Sequence, residues 1–352
     1  MRLFRTVSCF VGCAALGFAL HAAPAPAAAP AYALLARHTL GGPGGWDYLL
    51  ADPESGHLFV SRSDRVLVVN LGDGSLAATI PGTEGVHGFA LVHELGRGYT
   101  SNGRTDSLTV FDLATLKPTG TIAAGGRNPD AILYDKASKH LFSFNGRSND
   151  VTVIDPATEK LVATIPAGGK PEFAVTDDQG SVFFNIEDTA ELARIDARGA
   201  KLTAKWKLKD CEEPTGLAFD QAHHRLFSVC QNGKMVVTDS ASGKFVASVA
   251  IGKGPDGAAY DAQRGVVFSS NGEDGTLTVI KQVDADHYAV AQNLATQRSA
   301  RTLALDERSH RVYLVAAKFG PKPEPTREQP RPRAAVLDGS FEVLVVGADA
   351  KP

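Results

Sequence analysis

One spacing constrains this chain more than any other. Short apolar segments that end in an aspartate recur at Asp52, Asp135, Asp177, Asp220, Asp261 and Asp306, with Val92 in the remaining place. The intervals are 40, 43, 42, 43, 41 and 45 residues. Each interval holds four apolar runs; in residues 128–169 these are AILY, HLFSF, VTVI and LVATI. They are rich in β-branched and aromatic residues and are bounded by Asp, Lys-Ser, Asn-Gly and Asp-Pro turn signals. No apolar period of 3.6 residues of useful length follows residue 30, so helices do not compete for these segments. Seven units of about 42 residues with four strands each predict an all-β chain: one seven-bladed β-propeller of four-stranded antiparallel blades.

The ends of the chain indicate how the ring closes. AYALLARHTLGG, residues 31–42, resembles the fourth strand of a blade and its exit, yet it precedes the first unit. It is predicted to pair as the outer strand of blade seven, whose inner strands are RTLALD, RVYLVA and FEVLVV. Residues 317–340 then form an insertion between the second and third strands of that blade. Its five prolines disfavour regular pairing and point to a long loop, either a lid or partner contact or an inert insert.

Tyr99 to Asp135, YTSNGRTDSLTVFDLATLKPTGTIAAGGRNPDAILYD, and Phe142 to Asp177, FSFNGRSNDVTVIDPATEKLVATIPAGGKPEFAVTD, resemble the repeats of YVTN-family, YncE-like β-propellers. YTSN at Tyr99 to Asn102 stands where that family has its name-giving tetrapeptide. The resemblance spans essentially the whole chain after the leader. It is weakest in the fourth blade. It implies a propeller and an exported location, and no particular reaction, because the family is functionally mixed.

Arg2 and Arg5, an apolar run from Val7 to Leu20 and the tract HAAPAPAAAP read as a secretory signal peptide within residues 1–30. Its removal leaves 34 basic against 39 acidic residues, a net charge of −5. That balance, without a basic run, gives no sign of sequence-independent nucleic-acid binding. No second long apolar segment is present, so a periplasmic or secreted monomer is expected for residues 31–352. Cys9 and Cys13 leave with the leader. Cys211 and Cys230 remain in an oxidising compartment, where strand register places Thr215 opposite Cys230 and brings Cys211 to the same edge. A disulfide is favoured there over free thiols or a metal site.

Polar residues sort by whether they repeat. Asp52, Asp135, Asp220 and Asp261, and Asp112, Asp155 and Asp239, recur where tight turns begin on the bottom face, and they read as turn residues. His57, His140, His224 and His310 fall at or next to one repeat position, far from each other around the ring, and so form no metal cluster. The Asn-Gly pairs at Asn102, Asn145, Asn232 and Asn271 read as top-face turns in which glycine supplies positive φ.

Chemistry that varies between blades is more informative. Five residues before each aligned position stand Asp47, His87, Asp130, Glu172, Thr215, Asp256 and Arg301, predicted to ring the mouth of the central channel. One reading is loop caps around channel water. The other is a binding site for a polar small molecule or a cation, with Asn102, Asn145, Glu187, Asn271 and Lys318 behind it. No resident cofactor is expected, but a divalent cation on Asp47, His87 and Asp130 is the metal alternative, and its donors suit calcium or a catalytic ion better than copper or structural zinc. No GxSxG elbow, Walker sequence, HExxH or CxxC is present, and GGPGG at Gly41 to Gly45 is not followed by a helix. The sequence therefore favours a non-catalytic exported propeller that binds a protein partner or small polar ligand at its top face. The alternative is a metal-assisted lactonase-like hydrolase or lyase with His87 as general base.

Overall fold

The second and third strands of each unit carry apolar side chains on both faces, which suits sheets covered on both sides. In the computed structural model, which describes residues 31–327, 332 and 334–348, these strands are almost wholly buried. Examples are His57–Arg62 and Ser181–Ile186. Outermost strands behave differently: Lys201–Lys207 alternates exposed and half-buried positions, as a strand with one wet face should. The expected leader lies outside the described residues.

Seven four-stranded antiparallel sheets result, forming a seven-bladed β-propeller with one short 3₁₀ turn at His93–Leu95. Blade three, for instance, runs through Pro129–Asp135, His140–Asn145, Asp150–Asp155 and Lys160–Pro166 in that order from the axis outward. The blades stack face to face, and apolar side chains fill the space between them. Phe144 of blade three meets Phe184 of blade four at 5.2 Å between ring centroids, within a cluster drawn from both blades.

Blade seven takes its fourth strand from the start of the described chain. Leu303–Asp306, Arg311–Ala316 and Glu342–Gly347 are followed outward by Ala33–Thr39, in which Thr39 pairs with Glu342 and Ala33 with Gly347. A buried arginine holds the next stretch of chain in place. The guanidinium of Arg62 donates to the carbonyls of Gly42, Gly44 and Gly45 and lies 3.8 Å from the centroid of the Phe341 ring. Burial, with the charge of Arg65, pushes its pKa down to about 10. GGPGG is thus a ring of carbonyls around a cation.

The connection from residue 317 to residue 341 departs from the expected absence of pairing. Phe319 bridges Val336, the Gly320 amide donates to the Ala335 carbonyl at 2.9 Å, and the Leu337 amide donates to the Lys318 carbonyl at 2.8 Å. The prolines begin at Pro321, beyond this short ladder, so its amides remain free to pair.

On the bottom face the recurring aspartates start turns, as Asp112 does by accepting the Thr115 amide at 2.7 Å. Some also reach the next blade. Asp135 accepts from the Thr176 hydroxyl at 2.6 Å, Asp220 from Gln282 at 2.7 Å, and Asp261 faces His310 at 2.9 Å.

Candidate functional site

The innermost strands do not pair regularly at their upper ends. Register shifts between Val86 and Phe89, Pro129 and Ile132, Pro171 and Ala174, Pro214 and Leu217, and Pro255 and Gly257 place one extra residue in each of five blades. Such bulges re-aim side chains. The residues caught in them include His87, Asp130, Glu172, Thr215 and Asp256. Together with Asp47 and Arg301 these line one cavity of about 670 Å³ at the channel mouth. All seven ring positions read from the repeat therefore meet in one space.

The charges are arranged in order around the axis. Arg301 donates to Asp256 and to Oδ1 of Asp47, the latter at 3.2 Å, and also to the Trp46 carbonyl. The other oxygen of Asp47, Oδ2, is 2.6 Å from Nδ1 of His87, and that same nitrogen is 3.7 Å from Oδ1 of Asp130. Further round, Lys170 is paired with Glu172 at 2.6 Å and with Glu187. Thr215 closes the sequence by donating to the Pro255 carbonyl at 3.0 Å.

Burial opposes charge on Asp47, His87, Asp130 and Glu172, and the partners decide the outcome. Asp47 is desolvated, yet the His87 hydrogen bond and the Arg301 charge hold its pKa below the ordinary value. Burial likewise disfavours the His87 imidazolium, but the Asp47 hydrogen bond and the Asp130 charge raise its pKa. For Asp130 burial wins: it and the Asp47 charge push the pKa up to about 6 against partial compensation by His87, Lys170 and the Tyr48 hydroxyl, and Glu172 is raised well above the usual range by burial and the Asp130 charge.

The floor of the cavity is aromatic. Tyr48 stacks on Phe173 with centroids 5.2 Å apart, and both rings also line a second, mostly apolar chamber of about 410 Å³ further down the channel. The Tyr48 pKa is raised strongly by burial and by the neighbouring Asp130, Glu172 and Asp47 charges.

Several expected site residues lie elsewhere. Asn102, Asn145 and Asn271 are buried in their blades rather than facing the channel: their amides donate to Thr109, Thr152 and Thr278 at 2.8, 3.2 and 2.9 Å. Lys318 is exposed at the base of the blade-seven loop, outside the residues that line the cavity. Asn-Gly chemistry also differs from expectation, because positive φ falls at Gly233 only among those pairs. In the other three turns it falls at Asp106, Asn149 and Gly275, the last residues of four-residue connections. Gly103 and Gly272 are small for another reason. A Cβ on Gly103 would lie 2.7 Å from Nε2 of His87, and one on Gly272 would lie 2.6 Å from Cβ of Arg301.

Lys170, Tyr48, Phe173, Arg104 and Arg147 line the cavity and were not among the sequence candidates. The recurring pairs Pro129-Asp130, Pro171-Glu172, Pro214-Thr215 and Pro255-Asp256 carried the missing signal, since proline at the start of a strand marks where pairing is interrupted. Cys211 and Cys230 are joined, with Cα atoms 5.4 Å apart. The residue opposite Cys230 is Pro214 rather than Thr215, because the bulge shifts the register by one.

Fold and cavity together define a seven-bladed propeller with a charged axial mouth. No family model and no curated protein matches the chain. Among solved structures it is similar to "Kuenenia stuttgartiensis Hydrazine Synthase", with a TM-score of 0.68 and 14% identity, covering 77% of this chain and 92% of that one. At that identity the likeness speaks for the fold alone. No described helix is long and apolar enough to cross a membrane.

Proposed function

We propose that this chain is an exported, YVTN-like propeller that binds a small polar ligand at the mouth of its channel without transforming it. One observation carries the reading: seven blades each deliver one side chain, of five residue types in all, into one polar cavity above an aromatic floor. Repeat structure requires the position and not the chemistry, so an uneven ring of four acids, one histidine, one threonine and one arginine suits recognition of an asymmetric molecule. Ion pairs of Arg301 and Lys170 with their acids fix the walls beforehand, which lowers the ordering cost of binding. The blade-seven loop, whose Phe319 packs on Trp46 at 5.9 Å, is the proposed contact for a protein partner.

Catalysis with His87 as general base is the second reading, and the Asp47–His87 pair is its support. A base needs the neutral imidazole, whereas both flanking carboxylates favour the charged form. Binding is the better fit.

Cell fractionation and N-terminal sequencing test export; a cytoplasmic chain retaining residues 1–30 removes that part of the proposal. For the site, a panel of amino acids, organic acids and sugars is screened by thermal shift against the mature chain and Glu172→Gln. A ligand that stabilises the first and not the second supports the mouth. Ligands that act equally on both count against it. Co-purification with residues 318–339 shortened tests the loop: partners retained without it sink the partner contact.

A further inference from the structure

We propose that Asp47, His87 and Asp130 hold one first-row divalent transition-metal cation at the channel mouth. The inference rests on the reading of the mouth as a ligand site and names one occupant. Three consecutive blades supply the donors, and one ligand atom from each residue lies within 4.8 Å of the others.

The details of the donor set favour a metal over a chance group of acids. Nδ1 of His87 is directed at both carboxylates, 2.6 Å from Asp47 and 3.7 Å from Asp130, so a nitrogen and two oxygens converge on one point. Asp47 divides its work: Oδ1 receives Arg301 at 3.2 Å while Oδ2 faces the histidine. A carboxylate oriented through its second oxygen in this way is a typical outer support of a metal ligand. The Tyr48 phenol plays the corresponding part for Asp130. Among the described residues, no lysine or arginine nitrogen forms an ion pair with Asp130, which is nine-tenths buried. Its only ion-pair neighbour among the described residues is His87, at 3.7 Å, so a metal ion between them would meet a buried carboxylate without a close lysine or arginine partner.

Three protein donors leave positions open toward the cavity, the pattern of sites that also bind a small molecule, whereas closed structural sites use four. The preference for calcium expected from the donor types is reversed by the geometry: with the His87 nitrogen directed into the group, the site disfavours calcium and magnesium, which prefer all-oxygen shells of six or more. It suits Zn²⁺ or Mn²⁺. The Gly103 backbone allows the required ring position, since a side chain there would meet Nε2 of His87.

The test is isothermal titration of the mature chain, dialysed against chelator, with ZnCl₂, MnCl₂ and CaCl₂ separately. The expected result is one Zn²⁺ or Mn²⁺ per chain and at least about tenfold weaker binding of Ca²⁺. Asp130→Asn should weaken the transition metal by about 10-fold or more, and His87→Gln should abolish titratable binding. His93→Ala, which removes the histidine beside Asp52 on the opposite face, should leave it unchanged. Circular dichroism confirms that each variant is folded; should His87→Gln not fold, Asp130→Asn and Asp47→Asn decide alone. No binding, binding indifferent to these changes, or a preference for Ca²⁺ would overturn the proposal. Repeating the polar-ligand screen in chelator separates the two readings. If the titrations find no metal, a ligand that still binds at the mouth in chelator keeps the recognition site and rejects the metal only, while loss of both rejects the mouth altogether.

Discussion

The Tyr48 ring, on the innermost strand side of blade one, stacks on Phe173 of blade four across the channel, centroids 5.2 Å apart and planes at 29°. This pair divides the axis into an upper polar and a lower apolar chamber. A stacked aromatic pair contributes about 1 kcal/mol beyond the area it buries. A double-mutant cycle with Tyr48→Leu and Phe173→Leu, read by urea denaturation, should return a coupling of that size. Additive single effects would mean that the rings are neighbours without interaction.

Stability should fall as pH rises through the range in which the mouth loses protons. Asp130 has a folded pKa of about 6 against 3.8 for the free side chain, so its contribution is fully present below the lower figure and is lost by the upper. His87, also raised, acts in the same sense, its contribution vanishing as pH passes its folded value. Asp47 is lowered and acts oppositely, losing its contribution only as pH falls below the usual carboxylate range. Asp130→Asn should therefore raise the melting temperature at pH 8 and have little effect at pH 4. The gain should be on the order of 1–3 kcal/mol. Equal effects at the two pH values would exclude Asp130 as the cause.

Reduction of the Cys211–Cys230 bond should destabilise the ring. The bridge closes a loop of 19 residues, and loops of that length correspond to about 3 kcal/mol of denatured-state entropy. Chemical denaturation of the mature chain with and without reductant measures the difference. Thiol titration of the unreduced, denatured protein should find neither cysteine free.

Gly103→Ala isolates crowding from backbone strain, because Gly103 does not have positive φ. The added methyl would press on Nε2 of His87 and should cost about 1 kcal/mol of stability. Binding at the mouth should fall more than the melting temperature implies. A variant with normal affinity would show that the histidine has room to move.

The fold was readable because a propeller repeats its requirements seven times. Turn aspartates, strand lengths and the unpaired RHT strand before blade one each had one consistent place. The ring of seven mouth residues followed from the same register. What the register could not convey was direction over short distances. Asn102 stands at the top of a strand, but its amide reaches Thr109 within the blade, and only the pairing geometry shows this. Lys170 lies one residue before a bulge proline, outside the aligned column, so a column-by-column reading passed over it. Tyr48 was invisible for a different reason: its importance depends on Phe173, 125 positions away in the chain and adjacent only when the ring is complete.

The strand Ala33–Thr39 pairs with Glu342–Gly347, and Arg62 clasps the glycine segment that follows it against Phe341. Every other blade is made from neighbouring stretches of chain and can assemble as it emerges. Blade seven cannot, because its two halves lie about 300 residues apart. Loop closure over that distance is the slowest contact in the molecule to form. Until it forms, Arg301 and Asp47 stand on opposite sides of an open gap, so the charged mouth comes into being only with the final seam. A chain lacking only the Glu342–Gly347 strand could have six sound blades and still no site.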